Sequence, residues 1–128
     1  PFETPRWMIL PLAFAVGFSI DMFNNTAGMH AAACVFIAFA RPWLIKRYTP
    51  ITGYENVNAP SLSELGVVWF ALFTLTVIFI HHSIYYFLQV FWMNDVGYLL
   101  LKIFLSTLVS TLLIVIFAFL FAKRKVKR

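Results

Sequence analysis

Between Leu65 and Asn94 the chain carries no formally charged residue, and from Val96 to Ala122 it carries one, Lys102. Runs of this kind are long enough to cross a bilayer, whose hydrocarbon core takes about 20 residues of helix. Composition agrees, with 62% hydrophobic and 12% charged residues against roughly 45–50% and 25% in soluble domains. A soluble chain of this length would leave much of that apolar surface in water. Five Gly, six Pro and one Cys exclude collagen, disorder and a disulfide scaffold. The single thiol, Cys34, lies beside a run of Ala residues and reads as packing.

The pattern predicts an all-α fold, a polytopic membrane helical bundle in one domain over 1–128 with four spans. The expected helices are 5–23, 27–41, 62–91 and 96–122. Thr4 caps the first, Pro5 suits its first turn, and Pro11 bends its beginning. Asn24-Asn25-Thr26 makes a tight turn into the second, which is expected to stop at Arg41-Pro42. That second run is only about 22 Å long, so its turn is expected below the membrane surface or within protein. The stretch 42–61 is the one long polar loop. Ser61 and Glu64 have capping-box spacing for the third helix, which at roughly 45 Å must tilt, kink or protrude. Asn94-Asp95 caps the fourth. The chain begins at Pro1, not Met, and reads as N-terminally incomplete.

Four spans put both ends on one side, and the charges say which. Arg6, Arg41, Lys46, Arg47 and the tail cations Lys123, Arg124, Lys125, Lys127 and Arg128 share that side, while Lys102 alone lies toward the other. The positive-inside rule makes the tail side, with the 42–61 loop and the basic 123–128 tail, cytoplasmic. The net charge of +5 therefore points to anionic lipid and not to nucleic acid. Trp7, Trp43 and Trp92 mark helix ends at the interface.

Polar residues inside spans identify candidate sites. Ala13, Gly17 and Asp21 share one helix face. Gly28 and Ala32 offer a second small face, and His30 is placed to pair with Asp21. On this reading Asp21 organises the hairpin turn, and an Asn there is expected to be milder than an Ala. His81 and His82 are adjacent, point about 100° apart and lack the i, i+4 spacing of a helical metal site. They read as intramembrane polar contacts, and no metal or other cofactor is expected. Lys102, Ser106 and Ser110 form a polar stripe beside Thr107 and Thr111. Lys102 either snorkels to the surface or faces a carboxylate, Asp21 or Asp95. No nucleophile and base share a pattern that supports catalysis, so the chain is not read as an enzyme.

The stretch from Gly17 through Asp21 to Gly28, His30 and Ala31 resembles the G-x-x-x-D…G-x-H-A signature of the MreD family of bacterial rod shape-determining membrane proteins. Ala38-Phe39-Ala40-Arg41-Pro42 is similar to the end of the same motif helix. The pair His81-His82 before an aromatic stretch is similar to Bacteroidetes versions. The resemblance implies a non-catalytic inner-membrane scaffold of five or six helices, and so one or two more before Pro1. It implies MreC as partner, within a larger complex of MreB, RodA and a class B penicillin-binding protein that builds side-wall peptidoglycan. Gly17, Asp21, Gly28, His30, Arg41 and Pro42 are then structural or partner-binding positions. The family's likeness to substrate-binding membrane subunits of vitamin transporters leaves an alternative, a solute-binding transporter subunit with a cavity lined by Asp21, His30, His81 and Lys102.

Overall fold

The computed structural model describes residues 4–50, 61–90 and 96–121. All regular structure among them is α-helical: α1 (Arg6–Asn24), α2 (Met29–Arg47), the single turn α3 (Leu62–Leu65), α4 (Val67–Val90) and α5 (Val96–Phe121). Four of these, α1, α2, α4 and α5, are long and apolar enough to cross a membrane. The chain is a multi-pass helical membrane protein.

Helix ends follow local chemistry, and some depart from expectation. Pro5 occupies the N-cap position of α1, so the helix begins at Arg6 and no side chain caps it. Pro11 lies within α1, where it removes one backbone N–H that Trp7 O would otherwise accept. The largest correction concerns α2, which continues through Pro42 to Arg47 where a stop at Arg41-Pro42 was expected. A helix-interior proline costs about 3 kcal/mol, and tertiary contacts beyond it offset that cost. Just past the helix end, Tyr48 O accepts a 2.6 Å bond from Trp69 Nε1 and Tyr48 Oη bonds Thr76 Oγ1, both partners on α4. Residues 42–47 therefore belong to the helix and not to the polar loop. At 19 residues α2 is about 28 Å long, close to a full span.

The expected third helix is broken. Gly66 has φ +83°, a left-handed value that glycine adopts without penalty, and it separates α3 from α4. The Ser61 half of the expected capping box does not form either. Ser61 makes no side-chain cap bond and its Oγ sits 3.2 Å from Ser63 Oγ. The break leaves α4 with 24 residues, about 36 Å, so the excess length is removed by a turn. Phe91, the Asn94-Asp95 cap, the loop centre 51–60 and the tail 123–128 lie outside the described residues.

Packing runs in sequence: α1 against α2, α2 against α4, and α4 against α5, with no substantial contact closing α5 onto α1 among the described residues. Small and polar groups make these seams. Ala31, Ala33 and Ala38 are buried on α2, and Leu99, Ile103, Thr107 and Thr111 form one buried face of α5. Their i, i+4 spacing places them in line. The outward faces of α1 and α5 expose large apolar side chains, among them Leu12, Phe14, Leu112 and Phe117, as a lipid-facing surface requires.

Where α2 ends, α4 begins, and Trp69 ties the two. Its indole stacks on Phe73 at 4.8 Å while bonding Tyr48 O. Trp69→Phe keeps the stack and loses the bond. The expected loss is about 1 kcal/mol, read as a lower unfolding midpoint in micelles; an unchanged midpoint counts against this tie.

Candidate functional site

The turn between α1 and α2 is built around Asp21, whose residue is 2% exposed. Asn25 ends α1 in the left-handed conformation, and the Asn25 and Thr26 N–H groups both donate to Asp21 O. Asn tolerates that conformation well. Gly28 then reverses the chain at φ +81° and serves as N-cap of α2 without a side chain to cap it. Helix starts leave backbone N–H groups without partners. Here the Asp21 carboxylate accepts them across the turn.

Each carboxylate oxygen has a defined task. Oδ2 accepts from Ala31 N at 2.9 Å. Oδ1 accepts from His30 N at 3.0 Å, from Thr26 Oγ1, and from His30 Nδ1 at 2.9 Å. A carboxylate is acceptor-only and can take several donors, and its charge complements the positive end of α2. Because Nδ1 donates to Oδ1, a neutral His30 ring presents Nε2 as an acceptor.

Gly17 lies one turn before Asp21 and sets the helix separation. A Cβ there would fall 2.6 Å from Ala31 Cα and from His30 O. Only hydrogen fits between the two backbones. The partner face on α2 differs from expectation. Ala32 is exposed, and a Cβ on Gly28 would meet nothing within 4 Å. Ala31 supplies the close contact instead, and Gly28 is required by its backbone angle. The expected register is off by one because the turn consumes Gly28 before the helix starts.

Gly17, Asp21, Gly28 and His30 are therefore brought together. Arg41 and Pro42 are not: they lie 11 and 12 positions beyond His30, more than about 16 Å along the helix. Arg41 lines an apolar cleft between α1, α2 and α4 with Leu12, Ala38 and Phe73.

Beside the hairpin tip is a second, polar cleft of about 530 Å³, lined by Ile20, Asn24, Thr26, His30, His81, His82, Tyr85, Tyr86 and Gln89. It opens where α4 runs on beyond the hairpin tip. His30 packs on α4 at Tyr85, and α4 continues five residues further to Val90, about 7–8 Å. The hairpin tip falls short, and His30 lands on the Tyr85 ring at 4.2 Å.

The four intramembrane polar residues expected on α4 and α5 divide between two seams. His82 Nδ1 lies 3.3 Å from Thr107 Oγ1, and Tyr86 Oη shares a 3.0 Å hydrogen bond with Ser106 Oγ. Lys102 Nζ lies 4.8 Å from the Tyr98 ring centroid and 5.9 Å from that of Tyr86, a favourable place for a cation. Its partners are aromatic faces and not Asp21; Asp95 is outside the described residues. His81 turns the other way, its ring 6.4 Å from that of His30 and 5.8 Å from that of His82. Among the described residues no group of three potential ligands could hold a metal ion.

Thr26, Tyr85, Tyr86, Gln89 and Thr107 were not singled out by sequence as site residues. The signal for two of them is present: Tyr85 and Gln89 follow His81 at four-residue intervals in an uncharged span, one stripe of a helix. Neither known protein families, curated proteins nor solved structures yield a match to this chain.

Proposed function

We propose that the chain is a non-catalytic inner-membrane scaffold of the bacterial cell-elongation machinery, of the MreD kind, working through contacts with MreC and, in a larger complex, MreB, RodA and a class B penicillin-binding protein. One observation carries this reading. The residues of the MreD-like pattern in 17–31 have architectural roles, Gly17 as the close contact, Gly28 as the reversal, and Asp21 with His30 as the cap. A rigid, capped hairpin of this kind supports a docking role, because it fixes the outward ridge of α1 that includes Phe14 and Phe18, stacked at 5.6 Å.

The large apolar faces left on α1 and α5 suit lipid and partner helices alike. The distribution of Lys and Arg supports a cytoplasmic tail, where MreB or anionic lipid would meet the loop and the basic residues. The test is purification from native membranes. MreC is expected to co-purify with the wild-type chain, and an absence of association would overturn the scaffold reading.

A second reading, a solute-binding membrane subunit, is favoured by the polar cleft. His30 and His81 line it, Asp21 stands behind His30, and Lys102 does not contribute.

A further inference from the structure

The polar cleft holds hydrogen-bonding groups that the described residues leave unanswered. Gln89 Oε1 is buried and has no partner among the described residues. His81 and Tyr85 make ring contacts there but no hydrogen bond with any described residue. A neutral His30 ring contributes Nε2 as an acceptor, since its Nδ1 serves Asp21. Unpaired polar groups in a membrane domain cost free energy unless something in the cleft completes them.

Their chemistry restricts what completes them. Gln89 Oε1 and His30 Nε2 accept, the Tyr85 hydroxyl donates, and the His81 ring does both. A phosphate or carboxylate only accepts and would leave two acceptors facing it. No lining residue carries a formal positive charge to hold an anion. An ammonium only donates, and Asp21, the one carboxylate beside the cleft among the described residues, already serves four donors. A hydroxyl donates and accepts, and the rings of Tyr85 and Tyr86 give the C–H faces of a sugar an apolar wall. The volume of about 530 Å³ lies within the roughly 300–1,000 Å³ of small-molecule sites.

We propose that this cleft binds a neutral, hydroxyl-rich ring of the hexose class, either free or as the headgroup of a glycolipid. The site rests on the second reading only in using the same cleft, and it requires neither transport nor MreC. Its failure would leave MreC co-purification unaffected.

The test uses the full chain in phosphatidylcholine nanodiscs, followed by intrinsic fluorescence. One arm titrates glucose, and the other titrates glucosyl diacylglycerol carried in the nanodisc lipid. A saturable change in either arm is expected, and the arm that responds identifies the source. Gln89→Leu and His81→Phe should each weaken binding about tenfold, the equivalent of 1.4 kcal/mol. Tyr85→Phe removes one oxygen and no packing, and should weaken it several-fold with an unchanged unfolding midpoint; it decides the matter where the other variants unfold. No saturable change in either arm, or equal affinity in Tyr85→Phe and wild type, would overturn the proposal.

Discussion

Asp21→Ala is expected to lower the stability of the folded chain by about 3 kcal/mol, because it strips the acceptor from two backbone N–H groups that each cost roughly 1–3 kcal/mol when left unpaired. These are His30 N and Ala31 N, and the His30 ring and Thr26 hydroxyl lose the same partner. Unfolding in detergent would register the change as a lower midpoint. Asp21→Asn distinguishes the cap from a generic polar side chain. An amide oxygen can retain the three donors now on Oδ1, but the amide nitrogen then faces Ala31 N, donor against donor. About half of the loss should remain. Asn is thus milder than Ala but not neutral, since both oxygens of Asp21 are in use. Equal midpoints for all three proteins would contradict the cap.

Gly17→Ala is the second large effect, and here two terms oppose. Alanine in a helix is favoured over glycine by roughly 0.5–1 kcal/mol. Against this, its methyl would lie 2.6–2.7 Å from backbone atoms of His30 and Ala31, which cannot rotate aside as a side chain could. Overpacking costs about 1–3 kcal/mol, and contact with backbone falls at the upper end. Net destabilisation of about 2 kcal/mol is expected, with Gly17→Leu failing to yield folded protein. Ala32→Leu, one residue past the contact and on an exposed face, should behave as wild type. A Gly17→Ala protein more stable than wild type would show that the helices are not held this closely.

These two residues also show how far the sequence could be read. A small residue one turn before an intramembrane carboxylate, followed by a turn and a histidine, is enough to predict a tight hairpin and the pairing of Asp21 with His30. Both are local: the partners are close along the chain, and size and charge decide them. What escaped prediction depends on distant contacts. The continuation of α2 past Pro42 is held by Trp69 and Thr76 on another helix, and proline alone gives no sign of that compensation. The burial of Ala31 in place of Ala32 depends on a one-residue offset in the turn. The break at Gly66 was present as a glycine just after Glu64 and Leu65, yet an uncharged run conceals where a helix starts.

The cleft was legible only in part. His81 was marked as a polar residue that must find a contact, and the fourfold spacing to Tyr85 and Gln89 was available. Its opening lies where α4 runs on past Tyr85 to Val90, beyond the end of α2, a register set by packing between helices. Neither residue type nor spacing within one helix contains that information. Lys102 is a similar case, since its aromatic partners Tyr86 and Tyr98 lie on two different helices.

The architectural role assigned to the 17–31 pattern rests on whether Asp21 engages the first amides of α2. Amide hydrogen exchange of His30 and Ala31, in the full chain in nanodiscs, measures this directly, because N–H groups at a helix start ordinarily lack a partner and exchange fast. Protection of both amides in the wild-type chain, lost in Asp21→Ala while the middle of α2 stays protected, is the result expected. Fast exchange of these two amides in the wild type, or protection that survives in Asp21→Ala, would contradict it.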